Sequence, residues 1–210
     1  MVTPAIGVLA LQGAFRAHGD VLEGLGVGVV EVRTAAQLAA VDGLVIPGGE
    51  STTMSMLLER NAMLDPLRAR IHDERLPVFG TCAGMILLSD EILDGRADQH
   101  CLHALPISTR RNGYGRQLAS FEAALSITGL ADSFHGIFIR APIVERVDAD
   151  VEVLAWVDDH PVLCRYGAVT VAAFHPELSG DPRVHQWWLE QAGLAPVLEN
   201  RRGEAEEGKR

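Results

Sequence analysis

The sequence contains few cysteines and few basic residues. Its 210 residues include three cysteines, Cys82, Cys101 and Cys164. So small and odd a number excludes a disulfide framework and favours a reducing compartment. Lys and Arg together number 18 against 28 Asp and Glu, which gives a formal net charge of −10. This is the wrong sign for a protein that neutralises phosphates, so nucleic acids and anionic membranes are not expected as partners.

Long apolar runs and a charged leader are also missing. No stretch reaches the roughly 18 unbroken apolar residues that a membrane-spanning helix requires. No Lys or Arg precedes the first apolar run, so the charged region that opens a secretory signal is absent. With 48% hydrophobic and 22% charged residues, the composition is typical of a soluble globular protein. We expect a cytoplasmic protein.

Apolar runs alternate with amphipathic patterns through the first half of the chain. Strands that are apolar on both faces need cover above and below, so this alternation predicts a parallel sheet between layers of helices. The predicted strands are residues 5–11, 27–32, 43–47 and 76–79. The predicted helices are residues 15–25, 34–41, a helix from about Ser51, and 67–75, the last with Asp65 as its cap and Pro66 as its first residue.

The second half is richer in β-branched and aromatic residues. It predicts mixed or antiparallel strands that extend the sheet or lie beside it. A closing helix over 182–192 is expected to bury Val184, Trp187 and Trp188. No linker divides the chain before Leu198, so we predict one three-layer α/β domain over residues 1–198 and a charged, frayed tail over 199–210. The predicted strands are residues 102–109, 137–139, 151–157, 162–166 and 169–174.

A cysteine lies at a sharp turn between a predicted strand and a predicted helix. The string Gly80-Thr81-Cys82-Ala83-Gly84 joins strand 76–79 to an apolar helix that starts near Met85. This context is typical of a nucleophile elbow, with cysteine in the place of serine. The first turn of a helix also favours a thiolate, because its backbone N–H groups are unpaired. The alternative is a buried structural cysteine beside a glycine turn.

His175-Pro176-Glu177 follows another predicted strand. Residues two apart in an extended chain project to the same side, so Glu177 can orient the imidazole of His175. Such a pair alone is more often a surface feature. Together with Cys82, it predicts acyl transfer by a thiol, an imidazole and a carboxylate.

Acyl transfer also requires donors for an oxyanion. The backbone N–H of Ala83 is one candidate. The other comes from Gly48-Gly49-Glu50-Ser51, where a glycine pair at a strand end opens a helix. A plain capping turn, with Ser51 or Thr52 as the cap, is the simpler interpretation of that string, and both can hold.

These motifs resemble those of the class I (triad) glutamine amidotransferases, which release ammonia from the side-chain amide of glutamine. Further strings resemble the glutaminase subunits of pyridoxal 5′-phosphate synthases, and the similarity extends to about Gly193. The resemblance implies a flavodoxin-like class I amidotransferase fold. The strings are Gly7-Val8-Leu9-Ala10-Leu11-Gln12-Gly13, Pro47-Gly48-Gly49-Glu50-Ser51-Thr52, Arg111-Asn112-Gly113-Tyr114-Gly115-Arg116-Gln117 and Phe138-Ile139-Arg140-Ala141-Pro142.

The resemblance implies roles for individual residues. Cys82 would be the nucleophile, His175 the general base and acid, and Glu177 its orienting partner. A planar guanidinium binds a carboxylate well, which suits arginines to the α-carboxylate of glutamine. Without the resemblance both arginines would be interpreted as surface charges. The glutamine site would comprise Gly49, Glu50, Ser51, Arg111, Ile139 and Arg140, the oxyanion hole the N–H groups of Gly49 and Ala83, and Gln12 would lie at the site's mouth or at an interface.

The resemblance also implies a partner. Ammonia released into water near neutral pH is protonated, so these subunits dock on a synthase that is a (β/α)₈ barrel, within a large hetero-oligomer. No metal or organic cofactor is implied. One departure is Arg16-Ala17-His18, where relatives usually have an acidic residue in the middle. An inter-subunit charge contact there is therefore in doubt.

Two rival functions remain open on the sequence: a stand-alone cysteine hydrolase of the same fold, and a non-enzymatic binding subunit. The intact triad argues against the second. The string His100-Cys101-Leu102-His103 carries metal-binding side chains, but it lacks a second ligand pair at a recognisable spacing, so zinc is not expected. Cys164 lies in an apolar strand and is expected in the core.

Overall fold

The computed structural model describes residues 3–111 and 120–196. They form twelve strands, six helices and one 3-10 helix at 176–178. The strands are β1 (Ala5–Leu9), β2 (Gly28–Val32), β3 (Gly43–Ile46), β4 (Val78–Thr81), β5 (Ser89–Ile92), β6 (Leu105–Arg110), β7 (Ser120–Leu125), β8 (Phe134–Ile139), β9 (Ile143–Val147), β10 (Glu152–Val157), β11 (His160–Tyr166) and β12 (Val169–Ala172). The helices are α1 (Phe15–Gly24), α2 (Ala35–Ala39), α3 (Ser51–Arg60), α4 (Leu64–His72), α5 (Ala83–Leu88) and α6 (Arg183–Gln191).

A seven-stranded sheet in the order β10-β11-β12-β4-β3-β1-β2 forms the centre of the fold. The five strands from β12 to β2 run parallel, and β11 and β10 add an antiparallel edge. Every residue of β3, β4 and β12 is buried, as expected of parallel strands covered on both faces. The predicted α/β class, a mostly parallel sheet with antiparallel additions in the C-terminal half, is confirmed.

Two helices bring polar side chains into this core. Helix α1 packs on β1 and β2 and buries His18 and Leu22. Helix α6 buries Trp187 and Trp188 as predicted, and Trp188 stacks on Phe79 of β4 with ring centroids 5.8 Å apart. It also buries His185 completely. Two buried histidines on helices that pack on the sheet are unusual, because a polar ring inside the core needs partners.

Two smaller sheets lie outside the central one. Strands β5, β6 and β9 form the first, and the antiparallel pair β7 and β8 forms the second. In the second, Phe121 stacks on Phe138 with centroids 4.4 Å apart, and Phe138 also packs against Phe174 at 5.7 Å. This packing anchors β8 next to the residue that precedes His175.

The structure corrects several boundaries. The sequence predicts a helix that starts after Asp65 and Pro66, but α4 begins at Leu64 with Met63 as the N-cap and no side-chain cap. The earlier start buries both Met63 and Leu64. Pro66 fits inside the first turn because the N–H groups there have no intrahelical acceptor. Strands β5, β7 and β9 were not predicted, and the predicted tail at 199–210 lies outside the described residues.

Within residues 3–111 and 120–196, no helix has the length and apolar character that crossing a lipid bilayer would take.

Candidate active site

Cys82 lies at the junction of β4 and α5, so the predicted strand, turn and helix are present. Its φ of 48° and ψ of −101° are rare for a residue with a side chain, and such strain concentrates at functional sites. The Cys82 N–H donates to the carbonyl of Ala172 in β12 at 2.8 Å. A Cβ on Gly84 would come within 2.2 Å of the Ile46 carbonyl oxygen, so the elbow has no room for a larger residue there.

His175 lies shortly beyond the end of β12 and faces Cys82. Its N–H donates to the Ile137 carbonyl of β8 at 2.8 Å, which fixes the backbone, and its ring lies close enough to the Cys82 side chain for that group to raise the pKa of the imidazole. Gly48 lies against both residues. A Cβ on it would be 2.4 Å from Cε1 of His175 and 3.4 Å from Cβ of Cys82. The ends of β3, β4 and β12 therefore bring the predicted thiol and imidazole together.

The surroundings of His175 favour its protonated form. Burial lowers the pKa of the imidazole, but hydrogen bonds with Cys82 and Glu177 and the charges of those groups outweigh burial and raise it. A proton on this ring is therefore available to a leaving group bound next to the thiol.

Glu177 is in the 3-10 helix, and its side chain is fully buried. Its Oε1 lies 2.8 Å from Nδ1 of His175, the predicted orienting contact. Its other oxygen, Oε2, lies 3.3 Å from Nε2 of His18 on α1. In turn, Nδ1 of His18 lies 2.9 Å from Nε2 of His185 on α6, and Nε2 of His18 lies 3.1 Å from Oγ1 of Thr81.

The sequence analysis did not predict the contact between His18 and His185. The sequence analysis names His18 only in the string Arg16-Ala17-His18, within a predicted helix. The available signal was that both histidines occupy positions where the helical pattern calls for an apolar residue. Burial lowers the pKa of His18 well below its ordinary value, with the charge of His185 adding to the effect, and burial alone lowers the pKa of His185 to about 4. Both rings are therefore neutral at neutral pH.

The glycine turn that follows β3 is pinned on two sides. The Ala14 N–H donates to the Gly48 carbonyl at 3.1 Å, and the Glu50 N–H donates to Oε1 of Gln12 at 3.0 Å. A Cβ on Gly49 would be 2.3 Å from that same amide oxygen. Gln12 thus lies beside the candidate site. Its alternative role, at an interface with a partner, stays a prediction. The Gly49 N–H has no acceptor among the described residues.

The N-terminus of α3 is capped differently from the sequence expectation. Neither Ser51 nor Thr52 is the cap. Glu50 is the N-cap, and its carboxylate accepts from the N–H groups of Thr52 and Thr53. Burial raises the pKa of Glu50, but the hydroxyl and N–H of Thr53 and the N–H of Thr52 lower it to about 2. The carboxylate is therefore ionised at neutral pH.

Arg111 joins this N-terminus from the end of β6. Its Nη2 donates to Oε1 of Glu50 at 3.0 Å and its Nη1 donates to Oγ1 of Thr52 at 2.9 Å. Gln99 completes the cluster: it accepts from Nη1 of Arg111 at 3.2 Å and donates to Oγ of Ser51 at 3.1 Å. Nothing in the sequence singled out Gln99. The rest of the predicted string that begins at Arg111, residues 112–117, lies outside the described residues.

Ile139 is the last residue of β8, and Arg140 follows it. The Ile139 carbonyl accepts from the Cys82 thiol at 3.9 Å, so its backbone lies directly beside the candidate nucleophile. Arg140 has a φ of 46° and an exposed side chain. It forms no hydrogen bond or ion pair with the part of the chain that the structure describes. Ala83, the first residue of α5, has an N–H that lacks an intrahelical acceptor.

The other cysteines and the histidine string lie elsewhere. Cys164 is in the core as predicted, and burial raises its thiol pKa to about 12. Burial, with the charge of Asp90, raises the pKa of Cys101 to about 11. His100 pairs with Glu59 and His103 pairs with Asp90. Across the two described ranges, no group of three or more His, Cys, Asp and Glu side chains is arranged so that it could hold a metal ion.

The fold is shared with solved glutamine amidotransferases. One of them superposes with a TM-score of 0.85 at 48% sequence identity, over 90% of this chain and 98% of that chain. The solved structure of PurLQS from Thermotoga maritima has the same fold at 16% identity, with a TM-score of 0.63 over 90% of this chain and 99% of that chain. The class that emerges is the class I glutamine amidotransferase.

Sequence comparison narrows the assignment within that class. Residues 8–193 match the SNO glutamine amidotransferase family, and the chain belongs to that family. The pyridoxal 5′-phosphate synthase subunit PdxT of Mycobacteroides abscessus is 53% identical over 189 residues, which make up 90% of this chain and 97% of that protein. The protein of the same name from Frankia alni is 51% identical over 191 residues, covering 90% and 96%. The resemblance inferred from the motifs is confirmed.

The two buried histidines predict acid sensitivity. A histidine whose pKa is about 4 when folded and about 6.5 when unfolded makes unfolding easier as pH falls through that window, by about 3 kcal/mol for His185 alone. His18 acts in the same direction. His175 has a raised pKa, so its contribution is constant below about pH 6.5 and is lost only at higher pH.

Urea unfolding followed by circular dichroism measures the free energy of unfolding at several pH values between about pH 7 and pH 4, and so gives the slope of that free energy against pH. We expect His185→Gln to flatten it, while His135→Gln, at an exposed residue paired with Glu122, leaves it unchanged. Equal slopes for wild type and His185→Gln would contradict the conclusion that the buried, neutral His185 makes the protein sensitive to acid.

Proposed function

We propose that this chain is the glutaminase subunit of a pyridoxal 5′-phosphate synthase. It hydrolyses L-glutamine to L-glutamate and ammonia and passes the ammonia to a synthase subunit. The relatives named as subunits of that synthase match nearly their whole length to this chain. The observation that carries the chemistry is the contact chain from Cys82 to His175 to Glu177 at a strained elbow. The three cysteines of the chain are free thiols, which favours a cytoplasmic location.

The first half-reaction forms a thioester. His175 takes the proton of the Cys82 thiol, and the sulfur attacks the side-chain amide carbon of glutamine, so that a C–S bond forms. The carbonyl oxygen becomes an oxyanion, for which the N–H groups of Ala83 and Gly49 are the proposed donors. The imidazolium of His175 gives its proton to the amide nitrogen, the C–N bond breaks and ammonia leaves. Glu177 keeps the ring oriented and stabilises its positive charge.

The second half-reaction hydrolyses the thioester. A water molecule takes the place that ammonia has left, and neutral His175 accepts a proton from it as the water oxygen attacks the acyl carbon. A second oxyanion forms at the same donors. The C–S bond then breaks, glutamate leaves, and Cys82 and His175 return to their starting state.

Glutamine is recognised at the turn between β3 and α3. Gly49, Glu50 and Ser51 line one side, and the backbone of Ile139 lines the side next to the thiol. Arg140 has no acidic partner among the described residues, which leaves its guanidinium free to bind the α-carboxylate in this proposal. Arg111 acts through Glu50, whose ionised carboxylate suits the α-ammonium group.

The partner protects the ammonia. Free ammonia in neutral water is protonated and loses its nucleophilicity, so the proposed synthase partner, which is a (β/α)₈ barrel in a large hetero-oligomer, receives it directly. Docking also completes the oxyanion hole. Turning the Gly48-Gly49 peptide would break the bond between the Ala14 N–H and the Gly48 carbonyl, which opposes that change in the isolated subunit. No metal or organic cofactor takes part.

The direct test is glutamate release from glutamine by the subunit with and without the synthase partner. We expect faster release with the synthase, and a loss of about a thousandfold or more in Cys82→Ala, because no other thiol can form the thioester. Cys101→Ala is the matched control and should retain full activity. Glutamate release by Cys82→Ala would refute the assigned nucleophile, and equal rates with and without the synthase would refute the docking step.

Two neighbouring arginines offer a matched test of substrate binding. Arg111→Ala frees Glu50 and should raise the KM for glutamine about tenfold or more with little change in kcat, since the lost contact contributes to binding rather than to the transition state. Arg110 pairs with Glu145 at the surface, so Arg110→Ala should change neither constant. Steady-state kinetics of glutamate formation, measured with the synthase present, distinguishes the two. An unchanged KM in Arg111→Ala would contradict the assigned glutamine site.

A further inference from the structure

The second oxygen of the triad carboxylate raises a question that the mechanism leaves open. The Glu177 side chain is fully buried, and its Oε1 is taken by His175. Among the described residues, Oε2 accepts no hydrogen bond, although Nε2 of His18 lies only 3.3 Å away. A buried carboxylate oxygen without a donor is costly. The identity of the atom that satisfies Oε2 therefore decides how the carboxylate is held.

His18 has two neutral tautomers, and the contacts around it distinguish them. With the proton on Nδ1, the lone pair of Nε2 would face the Glu177 carboxylate, which is repulsive. The hydrogen of Nδ1 would then point at Nε2 of His185, so His185 would carry its own proton on Nδ1. That atom is buried and has no partner within the described part of the chain. This tautomer thus leaves an orphaned buried N–H, which is rare in folded proteins.

The other tautomer satisfies more groups. Nε2–H of His185 donates to Nδ1 of His18 over 2.9 Å. Nε2–H of His18 then donates to Oγ1 of Thr81 at 3.1 Å, and the same nitrogen lies 3.3 Å from Oε2 of Glu177, at an angle outside that of a formed hydrogen bond. The remaining unpaired atom is Nδ1 of His185, now an acceptor, which costs less to bury than a donor.

We infer that His18 is a positioning residue of the active site: its Nε2–H holds Oε2 of Glu177, and His185 fixes the tautomer that makes this possible. The inference rests on the proposed glutaminase function. Both carboxylate oxygens are then held by imidazoles, so the carboxylate cannot rotate and the ring of His175 stays aligned with Cys82. Helix α1 packs directly against the 3-10 helix that carries Glu177, which keeps the distance short.

Few other groups could replace this contact. The titratable groups around Glu177 are His175 on one oxygen and His18 on the other, with Cys82 and His185 one hydrogen bond further away. Thr81 of β4 contacts His18 rather than the carboxylate. Loss of the His18 N–H would therefore remove the ring donor that lies within 3.3 Å of Oε2, and no other side chain of the described residues is available to replace it.

The test compares three substitutions of His18 in the complex with the synthase partner. The amide N–H of Gln reaches about as far as Nε2–H, whereas the amide of Asn reaches only the Nδ1 position, towards His185. Leu has no donor. We expect His18→Gln to retain kcat within about threefold, and His18→Asn and His18→Leu to lower kcat about 10- to 100-fold with a nearly unchanged KM, since a small misalignment of a catalytic group has effects of that size.

The pH profile provides a readout that a purely structural role would not move. A carboxylate that loses a hydrogen-bond donor takes up a proton at higher pH. The acid limb of kcat should therefore move up by about one pH unit in His18→Asn and His18→Leu, and stay in place in His18→Gln. Circular dichroism confirms that each variant is folded.

The comparison of Gln with Asn decides the result even if His18→Leu fails to fold. Equal kcat values and equal acid limbs for His18→Gln and His18→Asn would overturn the role of His18. If wild type itself releases no glutamate in the same assay, the proposed function fails instead. The two failures are therefore distinguishable.

Discussion

The burial of the Glu177 carboxylate is the constraint on which the rest of the site depends. An ion in the core is tolerated only when its oxygens are paired, and here the available partners are two imidazole rings, those of His175 and His18. His175 follows β12, His18 lies on α1 and His185 supports His18 from α6. The carboxylate thus ties two helices to the strand end that presents the imidazole. The same contacts that stabilise the core also hold together the groups that we propose to react.

The sheet topology explains why these groups meet. Strands β3, β4 and β12 are adjacent and parallel, so their carboxyl ends lie at one edge. Gly48, Cys82 and His175 follow those three strands in turn. Since ligands of open parallel sheets bind beyond the carboxyl ends of the strands, the arrangement is a general property of such folds. The specific chemistry comes from the side chains placed there. β8 contributes from outside the sheet, because the Ile137 carbonyl accepts from the His175 N–H and the Ile139 carbonyl lies beside the thiol.

The sequence sufficed where local physics decides the outcome. Continuous apolar runs predicted β1, β3 and β4, and small residues around Cys82 predicted the elbow. The sequence-based prediction was wrong where a local capping signal competes with burial. Asp65 was expected to cap α4, but the helix already begins at Leu64, with Met63 as its N-cap. Strand β5 has two exposed acidic residues and so carries no apolar signal. His18 and His185 are 167 residues apart, and Gln99 contacts Ser51 from a separate loop, so no local pattern could predict either contact.

The central claim is that the buried carboxylate aligns His175 with Cys82 and so activates the thiol. The rate at which iodoacetamide alkylates each cysteine, read by peptide mass spectrometry at neutral pH, tests it most directly. The account predicts that Cys82 reacts well before Cys101, whose thiol pKa is raised by burial and by the charge of Asp90, and that Glu177→Gln slows Cys82 by about tenfold or more without changing Cys101. Equal Cys82 rates in wild type and Glu177→Gln would contradict it.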